Sequence, residues 1–177
     1  GWDSLNVNFQ AYVHGANTNG LLYTWDYEND TIADESGADK RTVSHLFTPG
    51  RYDVRLAVAN DMSESVELVK AGYVFASPSQ IYVSTAGDNS DGTSWAKAFN
   101  TLQKALDMAL GSNVVYLRGE TFLLSTSVVW SGIANVSIFG GYQGTGTPGL
   151  RDIQAWPTVL RRNPAAGNFR IMFVTYS

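Results

Sequence analysis

Asp26, Glu28, Asp30, Asp34, Glu35 and Asp39 crowd one short stretch of the chain. Hard divalent cations take several carboxylate oxygens, so calcium is the chemistry such a stretch could do. A second group, Asp88, Asn89, Asp91 and Thr93, offers oxygen donors of the same kind. Asp26, Asp30, Asp88 and Asp91 are the candidate ligands. Neither group has EF-hand spacing. The competing readings are a solvated acidic loop for the first and turn-forming Asx residues for the second.

Catalysis has less to work with. The chain has no cysteine, which excludes disulfides, thiolate metal sites and thiol nucleophiles. Arg151-Asp152, Arg161 and Arg162 come nearest to an acid–base set. No acid and base converge, so no catalytic residue is assigned and the chain reads as non-enzymatic. His45, a histidine with no convergent partners in the sequence, reads as structural. A net charge of −4 and the small arginine group argue against nucleic acid as a partner. Trp2, Trp130, Tyr142 and Trp156 are candidates for stacking on sugar rings, which makes glycans or cell-surface components the partners to consider. No run is apolar enough to predict direct membrane insertion, and Gly1-Trp2-Asp3 does not open a signal peptide.

The elements that must hold these residues are strands. Leu5, Val7, Phe9 and Ala11 alternate against Asn6, Asn8 and Gln10. A second strand is predicted over 21–27, a loop or weak edge strand over 28–42, a strand around Tyr52, Val54, Leu56 and Val58, and a last one over 65–75. Short alternating strands without a helical period predict an antiparallel sandwich over 1–76. Trp25 would fill the space between its sheets. Pro49-Gly50 would turn a corner, with Gly50 at positive φ and the Tyr52 hydroxyl directed back to it.

Tyr23-Thr24-Trp25-Asp26-Tyr27 and His45-Leu46-Phe47-Thr48-Pro49-Gly50-Arg51-Tyr52-Asp53-Val54-Arg55-Leu56-Ala57-Val58 resemble the PKD repeat. The family pattern is a Trp-Asp strand followed by aromatic-x-x-Pro-Gly-x-Tyr-x-Val-x-Leu-x-Val. Glu28-Asn29-Asp30-Thr31 departs from the family's Gly-Asp-Gly. The resemblance implies an immunoglobulin-like spacer module.

Ser77-Pro78-Ser79-Gln80 reads as a short linker over 77–80. Beyond it, strands are predicted over 81–84, 114–117, near 122–129, over 136–139, 158–160 and 170–176. One helix is predicted over 100–110, with Asn100 as its cap, Gln103 completing a capping box and Gly111 ending it. Ile81-Tyr82-Val83-Ser84, Gly92-Thr93-Ser94-Trp95-Ala96-Lys97-Ala98-Phe99, Thr101 to Leu106 and Ile138-Phe139-Gly140-Gly141-Tyr142 resemble the start of right-handed parallel β-helix proteins. That resemblance implies, over 81–177, a capping helix and the first coils of such a stack. Leu102 and Leu106 would face the coils, with Trp95 and Phe99 wedged beside them.

The expected architecture is therefore all-β: an immunoglobulin-like sandwich, then an opening β-helix with one capping helix. The expected role is a structural or adhesive segment of a larger secreted or cell-surface protein, its export signal lying upstream and its coils continuing past Ser177. Two alternatives stand beside it: an accessory part of a polysaccharide lyase or hydrolase, and a glycan-binding module. The open end of the coils is a candidate surface for assembly.

Overall fold

The computed structural model describes residues 4–15, 17–131 and 135–175. Trp2 and Tyr176 therefore lie outside the described residues. The described residues divide into two compact units, one over 4–76 and one from 77 to 175.

The first unit contains β1 (Leu5–Gln10), β2 (Leu22–Asp26), β3 (Glu35–Gly37), β4 (Thr42–Phe47), β5 (Gly50–Ala59) and β6 (Ser65–Ala76). All pairings are antiparallel: β1 with β4 in one sheet, and the order β3-β2-β5-β6 in the other. Alternation sets which side chains meet. Phe9, Val43 and Phe47 from the two-stranded sheet join Tyr23, Trp25, Val54, Val58 and Val74 from the four-stranded one in a single core. Trp25 is buried at 5% exposure and donates its indole N–H to the Lys40 carbonyl at 2.8 Å. Phe9 lies 5.4 Å from Trp25 and 5.6 Å from Tyr27, centroid to centroid, so rings fill the centre of the unit.

The Pro49-Gly50 corner differs from expectation in one respect. Gly50 is not among the glycines at positive φ. Glycine fits there because a β-carbon would come within 2.9 Å of the Tyr52 ring. The Tyr52 hydroxyl does return to the corner, donating to the Thr48 carbonyl at 2.9 Å.

The second unit contains β7 (Gln80–Val83), α1 (Leu102–Met108), β8 (Val114–Arg118), β9 (Thr121–Leu124), β10 (Val128–Ser131), β11 (Ser137–Tyr142), β12 (Val159–Arg162) and β13 (Met172–Thr175). Among the described residues these strands pair with one another in parallel, and an isolated antiparallel bridge joins Tyr142 to Arg151. β8 lies between β7 and β11, β9 pairs with β12, and β10 with β13. The succession β8-β9-β10 is thus repeated by β11-β12-β13, each strand beside its counterpart. Like residues stack in register: Ile81, Val115 and Ile138 across one sheet, Phe122 on Leu160, and Val128 on Met172. All of these join one apolar core. The run expected as one strand near 122–129 is two, separated by Ser125-Thr126-Ser127.

Helix α1 buries Leu102, Ala105 and Leu106 in that core. Its cap is Thr101, whose hydroxyl accepts from the Lys104 N–H at 3.2 Å. Asn100 is diverted from capping: its amide nitrogen donates to the carbonyls of Gly87 at 2.9 Å and Ser84 at 3.1 Å. Gln103 makes no capping box either. It accepts from the Val129 N–H at 2.7 Å and donates to the Val129 carbonyl at 3.1 Å, tying α1 to β10. The helix stops before Gly111, at Met108, with Ala109 as its C-terminal cap.

Ser77 to Gln80, expected as a linker, are built into this unit. Ser77 and Asn113 are fully buried, and Asn113 donates to the Pro78 carbonyl at 2.7 Å and accepts from the Ser77 hydroxyl at 3.0 Å. Val114 donates to the Ser79 carbonyl, and Gln80 already begins β7. Trp95 departs from the helix side that was expected for it. It lies edge-on to Tyr82 at 4.9 Å and donates to the Pro148 carbonyl at 2.9 Å, while Phe99 enters the core.

Candidate functional site

The acidic stretch follows β2, whose last residue, Asp26, is fully buried. Carboxylate oxygens of Asp26, Glu28 and Asp34 lie within 4.8 Å of one another. Two of the three bond to amides of the loop, and Glu28 lies 4.0 Å from the His45 Nε2. Asp26 accepts from the amides of Asp30 at 3.1 Å and Thr31 at 2.9 Å, and Arg55 lies 3.8 Å from its Oδ2. Asp34 accepts from the Tyr27 amide at 2.7 Å. These bonds fasten a loop in which Asn29 and Thr31 stand at positive φ, a conformation that asparagine tolerates and β-branched threonine does not favour. Asp30, a candidate ligand, turns to the Ile32 amide at 2.8 Å and stands outside the three-carboxylate group.

Around this group the charges are graded. Burial raises the Glu28 carboxyl, Asp34 raises it further, and His45 opposes the rise. Burial and the bond to Glu35 push the Tyr27 phenol above its ordinary value. Glu35 is lowered, chiefly by the Lys40 ammonium at 2.7 Å and then by the Tyr27 hydroxyl at 3.0 Å. His45 stacks on Tyr27 at 4.0 Å between ring centroids and meets Phe47 edge-on at 4.6 Å, which is the structural placement expected of it. The arrangement secures a loop and a ring stack. It presents no nucleophile beside a base.

In the second unit Asp88 accepts from the Ser90 amide and hydroxyl, at 2.9 and 2.5 Å. Asp91 accepts from the Thr93 amide and hydroxyl, at 2.9 and 2.6 Å, and from Lys97 at 2.8 Å. Burial raises the Asp91 carboxyl, but Lys97 and Thr93 outweigh it and hold the group below its ordinary range. Both aspartates are thus turn-formers. Arg151 and Asp152 do not pair with each other. Arg151 donates to the Gly140 carbonyl at 2.8 Å, and Asp152 accepts from the amides of Gln154 and Ala155.

The aromatic candidates are scattered. Tyr142 is buried at 7% exposure, Trp130 packs against the second core, and Trp156 backs onto Gly119, where any β-carbon would strike it. Sequence reasoning missed a different feature: an apolar groove of about 590 Å³ along β1, β5 and β6 of the first unit. Leu68 on β6 lines it and is exposed, whereas alternation assigns such a residue to a core.

The first unit is an antiparallel sandwich with an aromatic centre and a tyrosine that closes the corner before β5. Residues 4–72 match the PKD domain family, and this stretch is a PKD domain. PKD domains are non-catalytic modules, commonly structural or adhesive, found mainly in extracellular proteins. No curated protein and no solved structure matches the chain. Among the described residues, no helix is long and apolar enough to cross a membrane.

Proposed function

We propose that the chain is a structural and adhesive segment of a larger secreted or cell-surface protein, in which the PKD sandwich is a spacer and the second unit is a rod. The rod is the capped beginning of a right-handed parallel β-helix. The observation that carries this reading is the strand succession β8-β9-β10 laid in register against β11-β12-β13. In a stack of coils each turn covers the apolar interior of the one before, so a first turn needs a cap. Leu102 and Leu106 of α1 serve as that cap, in contact with β7 and β10. At the other end β11, β12 and β13 each have one paired edge only among the described residues. Further coils of the same polypeptide, or an assembling partner, would continue the stack there. Calcium and glycans remain the ligands to test. The reading assigns no catalytic residue to this chain.

The test is fractionation of the source cells with an antibody to the second unit, followed by intact-mass measurement of the captured polypeptide. A longer chain in the surface or secreted fraction is expected. An intracellular protein of these 177 residues alone would overturn the proposal.

A further inference from the structure

Asn19 is the one asparagine of the chain that precedes glycine, and the pair sits in the loop that leads from β1 to β2. An asparagine side-chain carbon and the next main-chain nitrogen can close a succinimide ring. Glycine, with no β-carbon, leaves that nitrogen open to approach. Both residues are exposed. The Gly20 amide and the Asn19 side chain have no hydrogen-bond partner among the described residues. What holds Asn19 is its main-chain N–H, which donates to the Asn17 Oδ1 at 3.3 Å.

The second unit keeps the same chemistry shut. Asp91-Gly92 is the matching aspartate pair, but Gly92 is buried and its amide donates to the Lys97 carbonyl at 2.9 Å. Thr93 and Lys97 occupy the Asp91 carboxylate. At Asn89-Ser90 the Asn89 Oδ1 accepts from the Asn100 amide at 3.1 Å, and the Ser90 amide donates to Asp88 at 2.9 Å. Ring closure at either place has to wait for those bonds to open. At Asn19 it does not.

The loop also has a contact to lose. Asn17 donates its side-chain amide to the Asp61 Oδ1 at 3.3 Å. Gly20, at φ +58°, lies so close to Asp61 that a β-carbon on it would stand 2.9 Å from the Asp61 Cβ. We propose that Asn19-Gly20 is a self-modifying site, at which the folded PKD domain turns asparagine into isoaspartate and so frees the loop from Asp61. The Gly20 nitrogen, its proton taken by hydroxide, bonds to the Asn19 Cγ; the Cγ–Nδ2 bond breaks, and ammonia leaves with a proton from water. Water then opens the ring. Cleavage at Cγ gives aspartate, and cleavage at the main-chain carbonyl gives isoaspartate, whose main chain runs through the Cβ and Cγ of residue 19. Either product adds a carboxylate to the loop that Asp61 contacts, and the longer main chain of isoaspartate breaks the fit of Gly20. The proposal does not rest on the spacer role, since the chemistry lies within one loop of the domain.

The experiment is to hold the full chain at mildly alkaline pH, folded and in urea, and to follow it by peptide mapping with electron-transfer fragmentation, which separates aspartate from isoaspartate. Asn19 should be replaced by the heavier acid, chiefly isoaspartate, at a folded rate within about threefold of its own rate in urea, while folding slows Asn89 by about tenfold or more. Asn19→Gln keeps the amide but closes a ring far less readily, so that chain should keep its mass at this position. In the NMR spectrum of the aged folded chain the Asn17 side-chain amide and Asp61 should shift, and Asn19→Gln aged alongside should show neither change. Folding that slows Asn19 as much as Asn89 overturns the site. Conversion that leaves the Asn17 and Asp61 signals in place overturns the release of the loop.

Discussion

The ring of Tyr52 lies 2.9 Å from the point that a β-carbon on Gly50 would occupy. Gly50 is therefore required by its neighbour and not by its own backbone angle. Gly50→Ala should destabilise the PKD domain by about 1–3 kcal/mol through overpacking. Tyr52→Phe keeps the ring and removes the bond to Thr48, and should cost about 1 kcal/mol. Tyr52→Leu removes the ring, so in the cycle of wild type, Gly50→Ala, Tyr52→Leu and Gly50→Ala/Tyr52→Leu the crowding disappears in the double variant and the two single costs should fail to add. Urea unfolding of the four proteins measures this, and additive costs would refute the contact as the reason for glycine.

Two neighbouring glutamates should give acid limbs of opposite sign. Glu35 is lowered in the folded state by Lys40 and Tyr27. Its contribution is present above the unfolded carboxylate value and lost as pH falls through the folded value. Glu35→Gln should then lower Tm at neutral pH and lose that effect in strong acid. Glu28 is raised, first by burial and then by Asp34. The folded state holds its proton more tightly, so ionising Glu28 works against folding once pH passes the unfolded value. Glu28→Gln should raise Tm at neutral pH and make no difference below the carboxylate range. Thermal unfolding across pH checks both, and equal signs for the two variants would contradict the assigned environments.

Asn113 is fully buried and ties its own turn to the 77–78 stretch, through the Leu110 amide on one side and the Ser77 hydroxyl and Pro78 carbonyl on the other. Asn113→Ala leaves these groups without their partner inside the unit, at a cost of about 1–3 kcal/mol. Asn113→Leu should be no better, because an apolar side chain of that size satisfies none of them. Denaturation followed by the near-ultraviolet signal of Trp95 and Tyr82 reads the loss. A variant as stable as wild type would mean that water takes over these bonds.

How much of this was legible beforehand follows the range of each interaction. The face shared by Leu5, Val7, Phe9 and Ala11, the buried Trp25 and the Tyr52 corner were readable, because alternation and turn chemistry are local. The helix was readable from the spacing of Leu102 and Leu106. Its cap was not: Thr101 and Asn100 both suit that position, and the choice fell to loop carbonyls at Ser84 and Gly87, far from Asn100 in sequence. Asp26 and Asp30 stood out as a pair by type, while the structure gathers Asp26 with Glu28 and Asp34 instead. The groove was invisible for the same reason. Leu68 looks like any inward strand residue until the number of strands opposite it is known.

Leu106 tests whether α1 acts as the cap proposed for the second unit. It is 1% exposed and belongs to the core that contains Ile81, Val115 and Val128. Leu106→Ala should cost about 2–5 kcal/mol, the range for a large buried side chain whose cavity cannot collapse. The loss should be local. Hydrogen exchange should speed up in β7 and β10, the strands that α1 contacts, while amides of β2 and β5 in the sandwich keep their rates. Acceleration confined to the helix would contradict the proposed capping role of α1. Acceleration throughout both units would show that they unfold together.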